Sequence, residues 1–143
     1  MTISSGVSGL QTIPTRYLYD ATDSLLRFVM RVDATLTGLF GLVAAFVADP
    51  LASLTGLTSG QELAMAAFLV LHGLVVVILA AGRDLRRAGI GVVAANIVYT
   101  VAAVVTAGLV PMTATGIAAT LTSGVYTAFF AWLQYVGVRR LPV

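Results

Sequence analysis

The chain contains no cysteine and no lysine, a single histidine, a single tryptophan and only 10% charged residues. Each scarcity removes a class of chemistry. Without cysteine there is no disulfide exchange, no thiolate metal site and no cysteine nucleophile. With His72 as the one imidazole, a b-type haem clamped by two axial histidines is excluded. A zinc site built on three or four His or carboxylate ligands also lacks its ligands. The acidic pair that general acid–base catalysis uses is missing, because Asp33 is the sole carboxylate within the apolar stretches. There is no nucleophile elbow, Walker loop or glycine-rich phosphate loop. Gly89-Ile90-Gly91 opens an apolar stretch directly after a basic turn, which is no setting for a nucleotide. The expectation is a chain with no catalytic residue, no metal and no cofactor.

What is present is apolar surface. A water-soluble domain carries about 25% charged residues. This chain is 59% hydrophobic over 143 residues, with mean hydropathy +0.99. Four long apolar stretches are expected as membrane spans at about 28–48, 63–81, 88–110 and 113–138. Each suffices for a hydrocarbon core of roughly 30 Å, which takes about 20 helical residues. The stretches lack the polar alternation of a membrane β-barrel. The fold class is therefore all-α, a polytopic four-helix antiparallel bundle, with a single domain at 25–140. Residues 1–24 are expected as a polar tail followed by an interfacial amphipathic segment. There Ile13, Tyr17, Ala21, Leu25 and Phe28 recur at helical spacing, with Tyr17 and Tyr19 at headgroup level. The first fifteen residues lack a basic n-region and an apolar h-region, so the first span is expected to direct insertion.

The arginines orient this bundle. Arg16, Arg27 and Arg31 come before or at the entry of the first span, Arg83, Arg86 and Arg87 lie between the second and third, and Arg139 and Arg140 follow the fourth. The other two connections hold only Asp49 and Glu62. Basic residues in short flanking segments stay in the cytoplasm during insertion, which predicts both termini inside. The abundance of Ala, Gly, Val and Arg without lysine suits a GC-rich bacterial genome, and hence a bacterial plasma membrane. The net charge of +2 and pI near 9.4 are explained by orientation and anionic headgroups, with no nucleic acid required.

Small residues mark expected helix contacts, because in lipid close backbone approach is the main packing device. Gly116, Thr120, Gly124 and Ala128 repeat every four residues in the fourth span, with Ser123, Thr127 and Ala131 as an adjacent stripe, and Thr37, Gly41 and Ala45 do so in the first. Gly91 and Ala95 repeat the spacing in the third. Packing within the bundle is favoured over an oligomer face.

Polar residues inside lipid are the candidate site. Asp33 shares a helical face with Thr37 and Gly41, pointing into the bundle. It is read either as an edge carboxylate neutralised by Arg27 or Arg31, or as a titrating group. His72, mid-span, needs one donor and one acceptor partner when neutral. Asn96, Tyr99 and Tyr126 fall at the same depth and could form a polar layer with it, structural or ligand-anchoring. Gln134 falls nearer the cytoplasm, at the level of Asp33.

The segment 26–42, with its Arg31-Val32-Asp33 entry, resembles a group of small four-span actinobacterial membrane proteins of unassigned function. So do Asp49-Pro50-Leu51-Ala52, Leu54-Thr55-Gly56-Leu57, Asn96 and Gln134. The layout is more distantly similar to DoxX-like four-helix proteins. The resemblance covers most of 25–140 and implies fold and membrane location, without an activity. Small multidrug transporters match in size but carry a Glu inside the first helix, which this chain lacks. The expected function is a non-catalytic membrane protein, either an accessory or scaffold subunit or a binder of lipid or another apolar ligand. Its partners would be membrane lipids, other membrane subunits or itself. The alternative is a small proton-coupled transporter or channel acting as an oligomer.

Overall fold

The structure is a computed structural model that describes residues 16–142, with side chains from residue 23 onward. The expected polar tail and Ile13 lie outside the described residues, as do the side chains of Tyr17, Tyr19 and Ala21. Regular structure among the described residues is entirely helical. The order is α1 (Arg16–Phe46), α2 (Ala48–Thr55), α3 (Ser59–Ala81), α4 (Leu85–Leu109) and α5 (Ala114–Arg140).

Local signals set these boundaries. α1 runs without a break through the expected interfacial segment and the first span, 31 residues in all. It ends at Phe46, and α2 follows with Pro50 in its first turn, where a missing backbone N–H costs nothing. α2 stops at Gly56, whose φ of 81° is the left-handed conformation open to glycine. α3 begins at Ser59 instead of residue 63, because Thr58 and Gln61 form a capping box. The Thr58 hydroxyl accepts from the Gln61 N–H at 3.2 Å, and the Gln61 side chain accepts from the Thr58 N–H at 2.9 Å. Asp84 caps α4 by accepting from the Arg87 N–H at 3.3 Å, so Arg86 and Arg87 belong to the helix. Thr113 caps α5 through the Gly116 N–H at 3.1 Å.

Among the described residues four helices are long and apolar enough to cross a membrane: Asp23–Phe46, Ser59–Ala81, Leu85–Leu109 and Ala114–Arg140. Their outer faces carry bare hydrophobic side chains, with Phe46 89%, Leu109 78% and Phe40 75% exposed. In water such a shell would be one continuous sticky patch. In a bilayer it is the lipid-facing surface. The chain is a membrane-embedded four-span bundle.

α1 packs chiefly on α3, and α4 on α5; α1–α5 contacts join the two pairs. The α1–α3 seam is a glycine contact. A Cβ on Gly73 would lie 2.7 Å from the Ala34 carbonyl oxygen, and one on Gly41 2.8 Å from that of Ala66. The end of the bundle away from the arginines is closed by α2. The Thr113 N–H donates to the Thr55 carbonyl at 2.9 Å, and Gly116 faces the same Thr55 backbone too closely to admit a side chain. At the opposite end, Leu26 and Met30 are fully buried in a core with Val76, Ala80, Leu85, Val92 and Val138.

The proposed small-residue stripe on α5 is only partly a contact. Gly116 and Gly124 are buried, Gly124 with Ala103 across from it, and Thr120 is half-buried. Ala128, however, is exposed. A helix turns about 100° per residue, so each four-residue step overshoots by roughly 40°. Three steps from Gly116 carry Ala128 about a third of a turn off the seam. The buried row follows Gly124, Thr127, Ala131, Gln134 and Val138 instead, alternating steps of three and four. Gly91 and Ala95 are both exposed, and a Cβ on Gly91 would meet nothing within 4 Å.

Candidate functional site: a carboxylate between three helices

Asp33 is 1% exposed and lies near the middle of the apolar helical stretch Asp23–Phe46. Four side chains converge on its carboxylate. Asn96 of α4 donates to Oδ2 at 3.1 Å, and Gln134 of α5 donates to the same oxygen at 2.7 Å. Thr37, one turn along α1, donates to Oδ1 at 3.2 Å, and the Tyr126 hydroxyl of α5 donates to Oδ1 at 3.3 Å. The second Asn96 N–H is spent on the Gln134 carbonyl oxygen at 3.0 Å. Asn96 and Gln134 are 2% and 0% exposed. No buried side-chain polar atom among the described residues is left without a partner. In a low-dielectric interior that condition separates a stabilising polar network from a costly one.

The arginine-neutralised reading of Asp33 is therefore replaced. Side chains two or six residues from Asp33 do not share its helical face; those three or four away do. Arg31 is exposed. Arg27 turns to the end of α3, donating to the carbonyls of Ala80 at 2.7 Å and Gly82 at 3.0 Å. It also lies 3.7 Å from Asp23. Its guanidinium thus caps the free carbonyls at the C-terminus of a neighbouring helix. Among the described residues Asp33 has no ion-pair partner.

The expected His72–Asn96–Tyr99–Tyr126 layer divides in two. Asn96 and Tyr126 join Asp33, Thr37 and Gln134. His72 makes no hydrogen bond among the described residues. Its ring stacks on Phe68 at 6.1 Å, and Phe68 stacks on Tyr99 at 6.2 Å. The Tyr99 hydroxyl lies 3.3 Å from the Ser123 hydroxyl. Thr37 was expected on the Asp33 face but not as a ligand of the carboxylate.

Two polar contacts were not foreseen. Thr100 and Thr127 pair at 2.8 Å across the α4–α5 seam; one hydroxyl donates to the other, which keeps its own proton for a backbone carbonyl, Gly124 for Thr127 or Asn96 for Thr100. Glu62, expected in an outer loop, is 8% exposed in the first turn of α3 and accepts from Thr55 at 2.5 Å. An acid in the first helical turn is favoured by the helix dipole, which is a legible signal. The Thr100–Thr127 pairing has none: Thr127 is marked only as a small residue of a packing stripe, and nothing along the chain points to Thr100 as its partner.

The chemistry open to the cluster follows from its donors. Oδ2 faces two amide NH2 groups, which can only donate. Oδ1 faces two hydroxyls, which can donate or accept. A carboxylate is satisfied as found. A protonated Asp33 is also satisfied, if its proton sits on Oδ1 and goes to Thr37 or Tyr126. Tyr126 then directs its own proton to the Asp33 carbonyl oxygen, 3.4 Å away. No heavy atom need move between the two states.

Among the described residues no three His, Cys, Asp or Glu side chains gather closely enough to hold a metal ion. The fold and cluster define a four-span helical membrane protein built round the buried carboxylate of Asp33. Compared with known protein families, curated proteins and solved structures, the chain matches none.

Proposed function

We propose that this chain is a non-catalytic subunit of the bacterial plasma membrane, an accessory or scaffold protein, in which the Asp33 cluster holds α1, α4 and α5 in register. One observation carries the reading: each carboxylate oxygen of Asp33 already accepts two hydrogen bonds from side chains of this chain. A coordination sphere filled in this way fixes helices against one another and offers no vacant position to a substrate or ion. The outward apolar faces then serve lipids and neighbouring subunits. Under the positive-inside rule both termini are cytoplasmic.

A second reading, a proton-coupled carrier, is favoured by the reversible hydroxyl pair on Oδ1. The experiment is a proton-flux measurement on Asp33→Asn and the parent chain in liposomes holding a pH-sensitive dye under an imposed membrane potential. For a scaffold, both traces match protein-free liposomes, and the chain co-migrates with larger subunits when solubilised from its own membrane. A flux in the parent that vanishes in the variant, with equal thermal stability, would establish the carrier.

A further inference from the structure

The outer surface of the α4–α5 pair carries a cavity of about 420 Å³, lined mainly by Val93, Ile97, Val101, Ala128, Trp132 and Tyr135. Ligand pockets fall at roughly 300–1,000 Å³. The cavity occupies the place on α5 where Ala128 leaves the packed seam, and the small side chain there deepens it. From Val93 to Val101 it runs eight residues, about 12 Å at 1.5 Å per residue. That is most of one leaflet's hydrocarbon, about half of 30 Å.

Both walls end in an arginine on the same side of the membrane. On α4 the row Val101, Ile97, Val93, Ile90 continues at helical spacing to Arg86. On α5 the row Ala128, Trp132, Tyr135 continues to Arg139. The two ends lie at one level, since a Cβ on Gly89 would meet the Val138 side chain at 2.7 Å. Arg139 lies over the Tyr135 ring at 5.8 Å, which holds the guanidinium at the mouth of the groove. Neither Arg86 nor Arg139 has a carboxylate partner among the described residues. Of the carboxylates at that end, Asp84 is engaged with Arg87 at 3.4 Å and Asp23 with Arg27 at 3.7 Å.

From this arrangement we infer a binding site for an anionic glycerophospholipid of the arginine-side leaflet, its acyl chain in the groove and its phosphate between Arg86 and Arg139. The inference deepens the lipid-binding side of the proposed role. It is independent of the Asp33 cluster, and proton-flux results leave it untouched. An uncharged apolar ligand would fill the groove but leave both guanidiniums without an anion. A second copy of the chain would bring like charges to the same place. A lipid satisfies both ends of the site at once.

Trp132, the single tryptophan, reports on the groove directly. The full chain is placed in phosphatidylcholine bilayers containing rising fractions of phosphatidylglycerol brominated in mid-chain, and in parallel brominated phosphatidylcholine. The expected result is half-maximal quenching of Trp132 at a lower fraction of the anionic lipid, on the order of fivefold for each arginine engaged and so about 25-fold for the two together. The Arg86→Gln/Arg139→Gln double variant should bring the two curves together. Ala128→Phe, which fills the groove and keeps both arginines, should remove the preference as well. All three changes lie on exposed positions, and circular dichroism confirms the fold of each. Equal quenching of the parent by the two lipids would overturn the site, as would a preference that survives either variant. Protection from both lipids in a particle of dimer mass would assign the groove to a second copy and overturn it too.

Discussion

A single carboxylate governs the interior of this molecule, and its partners decide which substitutions it tolerates. In Asp33→Asn the amide oxygen can take the place of Oδ2, facing Asn96 and Gln134. The new NH2 then faces Thr37 and Tyr126, whose hydroxyls turn to accept. The variant should therefore fold and melt close to the parent. Asp33→Ala leaves one Asn96 N–H and the Gln134 NH2 without an acceptor, and each unsatisfied buried group costs about 1–3 kcal/mol. Hydrogen bonds between membrane helices measure lower, averaging about 0.6 kcal/mol, so a total near 1–3 kcal/mol is expected. Thermal unfolding in detergent checks the order parent, Asn, Ala; an Asn variant as unstable as Ala would show that charge, not hydrogen bonding, holds the cluster. His72→Phe should cost under about 0.5 kcal/mol, like a surface change that removes no bond, because the ring contributes stacking on Phe68 alone.

Between elements, backbone proximity is the controlling quantity. Gly73→Leu forces a side chain against the Ala34 carbonyl, 2.7 Å from where its Cβ would sit. Overpacking of this kind costs about 1–3 kcal/mol or more, and here it would open the whole α1–α3 seam. Gly91→Leu makes the same chemical change where nothing lies within 4 Å. It should be neutral or slightly stabilising, since glycine costs a helix about 1 kcal/mol relative to good formers. Paired melting curves test the assignment: equal loss in both variants would mean that α3 does not lie on α1 as described. Gly124→Leu should fall between them, its Cβ meeting a yielding Ala103 side chain at 3.2 Å.

For the whole molecule the testable quantity is orientation. Reporters fused after Val143 and within 84–87 should read cytoplasmic, and those within 55–60 and 111–113 external. The second pair flanks α2 and the α4–α5 turn, which the Thr113–Thr55 hydrogen bond places together. An external C-terminus would overturn the four-span topology.

The four spans and the grouping of arginines at one end are legible along the chain, because hydrophobicity and charge are local properties that a bilayer sorts without reference to tertiary contacts. Helix starts at Thr58 and Thr113 are local as well, written in the hydroxyl that accepts from a backbone N–H three residues on. The site is different. Asn96, Tyr126 and Gln134 could be singled out as polar residues in lipid, yet depth along separate helices assigned them to two layers. Only the way α5 lies against α1 brings Tyr126 and Gln134 to one carboxylate, two helical turns apart along their own helix. Likewise, four-residue spacing marked Ala128 as a contact, and the rotation of α5 against α4 put it on the lipid side. Helix rotation and crossing are set by side chains from several helices meeting at once. No stretch of one helix contains that information.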